Sequence, residues 1–405
     1  MKRTVFPCLL ATLLAAAACQ NPKIEVVNFD DFTVTSVKNG NVIESGRLSP
    51  EIQRFETLEP EGKMAETNLT DFVLTLSGTL QSNSLTHISG TYTGHDLDGS
   101  PITLSGKVLL PAKGPIKNII LVTHYTVAAN FECPSESFPL EGVLASKGYA
   151  MVFPDYIGYG VTRDRIHPYM HVSSTARSAV DMLLAVRPYL EKIGKAPESD
   201  EIIIVGYSQG GAAALAVMGM IQSEYYKEIP IKKVYAGGGP YDLAATFDVS
   251  MLEDLTGIPC AIPMIVQGIN EGEDLELNVN DFFKPALRDN LVEWVNSKNY
   301  TVKEINQMLN AKSVSDVMSD IGRDKTNPQT ARLYRALMYN SVLKFLPEAP
   351  VYIFHSTQDG TVPFVNATKA QQYFRGRDVT YDFGRYGNHG NAAILFVYNV
   401  YKDLK

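Results

Sequence analysis

The chain is poor in several things. One tryptophan and four cysteines stand among 405 residues, too few thiols for the disulfide framework of a small secreted scaffold. Lysine and arginine number 36 against 44 aspartates and glutamates, a formal net charge of −8. Binding a phosphate backbone needs clustered cations, so nucleic acid is excluded as a partner. No repeat of fixed period and no low-complexity tract occurs, which excludes solenoids and propellers. Beyond the first twenty residues no apolar run is long enough to cross a bilayer. What is left, 45% hydrophobic and 20% charged, is ordinary globular material, enough for one large α/β domain with an insertion or for two domains.

The first residues read MKRTVFPCLLATLLAAAAC. Lys2 and Arg3 precede an apolar run to Ala18, too short to span a membrane, so residues 1–18 are expected to be a signal peptide. The segment resembles a bacterial lipoprotein signal, with Cys19 as the lipidated residue and Ala16 where leucine is usual. That resemblance implies an exported protein of the cell envelope, touching a membrane surface through its lipid anchor alone. An ordinary A-x-A cleavage would instead give a secreted protein. Cys8 would leave with the signal, so Cys133 and Cys260 remain in a disulfide-permissive setting, where they could pair or pack as small hydrophobes. The N-x-S/T sites at Asn68, Asn299 and Asn366 read as surface loops.

Residues 19–70 are polar and patchy and are expected to form a tether and N-terminal extension. From Asp71 the text alternates apolar and polar in FVLTLSGTL, THISGTYTGHD and ITLSGKVLLP, as antiparallel strands do. After Pro111 it changes to short continuous apolar runs, NIILVTH, YAMVFPD, EIIIVGYS, IKKVYAGGG and PVYIFHS, the pattern of parallel strands buried on both faces. STARSAVDMLLAVRPYL, the stretch after Ser208 and NAAILFVYNVYKDL carry helical spacing between or after them. Alternation of strand and helix predicts a parallel sheet covered by crossovers over 71–405. Residues of about 243–348 are too many for a loop and contain helical text, so an inserted helical cap is expected there.

Gly206-Tyr207-Ser208-Gln209-Gly210 fits G-x-S-x-G between a strand and a helix, the setting that makes the motif meaningful. A turn this sharp leaves no room beside the serine, so Gly206 and Gly210 have a steric role and Ser208 is thrust out as a candidate nucleophile. Serine needs a base, and the base an orienting group. Asp359, in a D-G-x-V-P turn after a buried strand, and His389, in a Gly-Asn-His-Gly loop before the last helix, follow in the order serine, acid, histidine. Asp242 is the rival acid. Two N–H groups should face a developing oxyanion: that of Gln209 and one from Tyr125 or Thr126 in THYTVAAN. His167 and His171 stand four apart, but Pro168 intervenes and no carboxylate or cysteine motif accompanies them, so no metal is expected. No cofactor is implied.

From roughly Ile102 to Lys405 the chain resembles the α/β-hydrolase superfamily, and PDYIGYG, GYSQGG and GGGPYDL are similar to the secretory lipase family. The resemblance implies a mostly parallel central sheet with flanking helices, a helical cap between strands 6 and 7, and a lipase or esterase cleaving carboxylic esters of lipid or small-molecule type. By it, Asp155, Tyr156, Gly158 and Gly160 would form a loop near the site mouth, unless they are only a glycine-rich turn. A serine peptidase on the same fold and a non-catalytic surface lipoprotein are the alternatives. Oligomeric state leaves no mark in the sequence.

Overall fold

The computed structural model describes residues 27–29, 32–39, 78, 85–225 and 228–405. The expected signal peptide, Cys19, most of the tether and, Gly78 apart, the strand expected over 72–80 lie outside the described residues.

Among the described residues ten strands form one sheet: β1 Val27–Phe29, β2 Phe32–Asn39, β3 Leu85–His95, β4 Pro101–Pro111, β5 Ile119–Thr123, β6 Ala150–Pro154, β7 Ile202–Tyr207, β8 Ile231–Gly237, β9 Val351–Ser356 and β10 Val379–Gly384. Their order is β1-β2-β3-β4-β6-β5-β7-β8-β9-β10. Pairings as far as β4–β6 are antiparallel, and all from β6 to β10 are parallel. Among the described residues the α-helices of eight residues or more are α1 Val172–Lys192, α2 Gln209–Glu224, α3 Leu243–Glu253, α4 Ala261–Gly272, α5 Val302–Leu309, α6 Pro328–Tyr339, α7 Val365–Tyr373 and α8 His389–Asp403.

The central strands read as unbroken apolar runs because each feeds two cores. Ile119 and Leu121 of β5, with Ile202 and Ile204 of β7, join the cluster under α1 and α2. Ile120 and Val122, with Ile203 and Val205, point the other way, into a cluster with the 3₁₀ helix Leu140–Lys147 and α8. Alternation with period 2 between two covered faces makes both sets of side chains apolar, so the strand reads as an unbroken run.

The N-terminal extension is more than a tether. β1 and β2 form a hairpin that extends the antiparallel edge, with Phe32 and Val34 buried in the main core. The alternation in FTVTSV was the available signal, short and set among polar residues. Gly90 of β3 makes room for it, since a Cβ there would lie 2.5 Å from the Phe32 ring.

The long insertion lies between β8 and β9, the sixth and seventh strands counted from β3, and carries α3 to α6. Among the described residues no helix is long and apolar enough to cross a membrane. One open alternative is decided and one expectation is corrected. Cys133 and Cys260 are both free and buried; Cys133 packs with Tyr125, Val127 and Tyr159 while Cys260 belongs to the main core, so the fold builds each thiol into a different apolar cluster. Asn366 is not in a surface loop. It is fully buried in α7, with its amide on Thr246 Oγ1 at 2.9 Å, whereas Asn299 is exposed.

Candidate active site

β7 ends at Tyr207 and α2 begins at Gln209, so a single residue turns the chain. That residue, Ser208, has φ 58° and ψ −125°, a conformation costing about 1–3 kcal/mol for a residue with a side chain. Its N–H donates to Gly237 O at 2.9 Å, and its carbonyl accepts from Gly211 N at 2.9 Å. The glycines act as expected. A Cβ on Gly206 would lie 2.1 Å from Gly210 O, and one on Gly210 would lie 1.9 Å from Thr123 O.

Ser208, His389 and Asp359, 181 and 30 residues apart along the chain, meet at this corner. Ser208 Oγ is 2.8 Å from His389 Nε2. His389 Nδ1 is 2.6 Å from Asp359 Oδ2. The other carboxylate oxygen, Oδ1, accepts from the N–H of Thr361 at 2.8 Å and of Val362 at 2.9 Å, so the D-G-x-V-P turn fixes its own aspartate. An acceptor-only oxygen on Nδ1 means that this nitrogen carries the proton and Nε2 faces the serine as an acceptor. Burial would push the Asp359 carboxyl up, but the charge and hydrogen bond of His389, helped by His355 and the Val362 N–H, hold it below the ordinary carboxylate range.

His389 is placed differently from the expectation of a loop before the last helix. It is the first residue of α8, with Asn388 as the N-cap accepting from Asn391 N at 3.0 Å. Tyr207 OH donates to the His389 carbonyl at 2.8 Å, and Ser356 Oγ donates to Gly387 O at 2.6 Å, tying the approach to α8 onto β7 and β9.

Asp242 does not compete. It caps α3, with Oδ1 accepting from Ala245 N at 2.9 Å and Oδ2 paired with Lys369 Nζ at 2.6 Å. His355, in β9, lies beside Asp359 with Nε2 3.7 Å from Oδ2 and donates to Val362 O at 3.0 Å. The sequence left this second imidazole against the acid unnoticed, because nothing in VYIFHS marks which way its side chain turns. His167 and His171 take separate partners: Ile157 O and Gln209 for the first, Ser174 and Glu273 for the second. Asp155 is fully buried and serves Ser105 Oγ and Ser135 N, so it anchors its loop rather than facing the serine.

A partly open pocket holds Ser208 and His389. Tyr125 and Thr126 line it, as do Leu140 and, from the insertion, Ile258 and Val302; Ala393 and Val397 continue it along α8. Its walls are mainly apolar. Gln209 engages His167 Nε2 through its side-chain amide at 3.0 Å, so only its backbone N–H could serve an oxyanion. Thr126 Oγ1 is likewise occupied, 2.5 Å from Tyr169 OH.

The model of one protein family, described as secretory lipase, matches residues 128–396, well over half of the chain. The chain belongs to the secretory lipase family. Lipase 4 of Candida albicans is 24% identical over 246 residues, covering 56% of this chain; the chain spans only 48% of that curated relative's length. Among solved structures, a Legionella pneumophila protein superposes with a TM-score of 0.73 at 20% identity over 94% of this chain and 98% of its own. The rice cell wall degrading esterase LipA from Xanthomonas oryzae gives 0.68 at 23% identity, with 83% and 92% covered. Candida antarctica lipase A gives 0.60 at 16%, with 80% and 79% covered. The mostly parallel sheet with flanking helices is therefore that of the α/β-hydrolases.

Proposed function

We propose that this protein hydrolyses carboxylic esters through an acyl-enzyme, with Ser208 as nucleophile, His389 as general base and acid, and Asp359 as the group that orients His389 and stabilises its charge. The observation that carries this reading is the continuous hydrogen-bonded line from Oγ through the imidazole to a buried carboxylate, at 2.8 and 2.6 Å. In it, Oγ attacks the acyl carbon and its proton passes to Nε2. The carbonyl oxygen becomes an oxyanion, met by the N–H of Gln209 and by that of Thr126 or Tyr125. Collapse expels the alcohol, which takes the Nε2 proton and leaves the acyl group on Ser208. Water then repeats the sequence, giving the acid and free serine.

Apolar cavity walls favour an acyl group over a charged one. Ile258 and Val302 reach the cavity from residues 243–348, which supports a cap that shelters the reacting centre from water. Membership of a secretory family supports export; anchoring through a lipid on Cys19 is part of the same proposal.

The test is hydrolysis of p-nitrophenyl esters of increasing chain length, beside aminoacyl nitroanilides. Ser208→Ala should lower kcat/KM by about 10⁴-fold or more while leaving the melting transition in place. Unchanged ester turnover in that variant would refute the assignment, and turnover of nitroanilides alone would move it to a peptidase.

A further inference from the structure

Beyond β6, residues Gly158–His167 form a loop whose two ends meet. Gly158, at φ +93°, packs so tightly on the far end that a Cβ there would lie 2.5 Å from His167 Cα. A loop closed this tightly must still satisfy its backbone carbonyls. Three of them, those of Gly158, Arg163 and Arg165, converge on one nitrogen, the ammonium of Lys298, which donates at 2.5 Å to the first and 2.7 Å to the second and also to the third. Lys298 comes from the insertion, 133 or more residues away, and is itself buried. Its ammonium stands 5.4 Å from the centre of the Tyr159 ring, and its carbonyl accepts from Asn130 N at 2.8 Å. Its backbone is held at φ +54°, where side chains are unfavourable, so packing rather than local preference keeps it there.

We infer that the Gly158–Arg165 loop is a carbonyl cage for a cation of the primary-ammonium class, filled from within the chain by Lys298, and that filling it positions Gln209 beside Ser208. Three neutral acceptors and an aromatic face are the coordination that a three-donor ammonium requires. The effect reaches the corner through His167, where the loop ends. His167 Nδ1–H donates to Ile157 O at 2.7 Å, which leaves Nε2 to accept from the Gln209 side chain at 3.0 Å. The helix start that carries the Gln209 N–H is thereby tied to the loop. A small pocket touches Lys298, Tyr159 and His167, and removal of the lysine stem would enlarge it at the cage, where a small amine could take the place of the lost ammonium. The cage stands on these contacts alone; its link to catalysis rests on the function proposed above.

Lys298→Ala should empty the cage and lower kcat on a p-nitrophenyl ester about tenfold with little change in KM, since misplacing a positioning group costs rate rather than binding. Ethylammonium chloride should restore most of that kcat and raise the melting temperature of the variant, whereas tetramethylammonium chloride, which has no N–H to donate, should do neither at equal ionic strength. Lys298→Met, which keeps the stem without donors, should lose kcat and gain nothing from either salt. Wild-type kcat in Lys298→Ala or Lys298→Met, or equal responses to the two salts, would overturn the inference. The ammonium-specific melting shift needs no substrate, so it decides the cage even if the protein hydrolyses no ester at all; should Lys298→Ala not fold, kcat of Lys298→Met decides the positioning role.

Discussion

At the residue scale, the proposed site is a set of polar atoms whose alternatives have been used up. Asp359 spends Oδ1 on two backbone N–H groups and keeps Oδ2 for His389. Asp242 spends both oxygens on its helix cap and on Lys369. Asp359→Asn would preserve shape but offer Nδ1 an amide that can turn the imidazole to the wrong tautomer. We expect kcat to fall about 10⁴-fold with KM and melting temperature nearly unchanged, measured by steady-state kinetics on a short p-nitrophenyl ester; a loss below tenfold would mean that another group orients His389. Ser208, Asp359 and His389 were legible as candidates in chain order and flanking text. The partners that decide between two aspartates were not, because they come from residues such as Lys369, 127 positions away from Asp242.

At the element scale, the corner between β7 and α2 depends on contact with β5. Gly210 lies against the Thr123 carbonyl, and Thr123 Oγ1 donates to Gly210 O at 2.7 Å, so strand and helix start share one tight interface. Gly210→Ala would force a methyl group to within 1.9 Å of a backbone oxygen that cannot move without breaking the sheet. Overpacking of this kind costs about 1–3 kcal/mol, and urea denaturation should show a loss of at least about 2 kcal/mol together with a lower kcat. The central strands were readable because burial on both faces writes itself as a continuous apolar run. The hairpin β1–β2 was not, since one covered face leaves only alternation over a few residues, which a polar neighbourhood hides.

At the scale of the whole molecule, burying imidazoles has a consequence for acid stability. Burial, with Lys107 and Lys38 nearby, lowers His87 to about 3. Burial also lowers His167 to about 3, against the pull of the Ile157 carbonyl and with help from His124 and Lys298. Both are neutral in the fold, while their counterparts in the unfolded chain take up protons as pH drops below the ordinary value of 6.5. The unfolded state then binds more protons, so the contribution is complete above about pH 6.5 and is lost as pH falls from there toward 3. Each contributes a slope of up to about 1.4 kcal/mol per pH unit in that window. Urea unfolding at pH 7.5, 6 and 5 should show the decline, and His167→Gln should flatten it; a pH-independent midpoint would contradict the assignment.

The sequence by itself determined the class of fold, the strands of the parallel core, the sharp corner at Ser208 and the order of the three polar residues, because each depends on neighbours within a few positions: period, glycine sterics, turn chemistry. Tertiary structure alone decided that Cys133 and Cys260 stay apart, that His355 lies against Asp359, that Asn366 is buried, and that Lys298 of the insertion fills a loop of the core. Those outcomes depend on which distant side chains share one small volume, and a one-dimensional pattern carries distance along the chain but not distance in space.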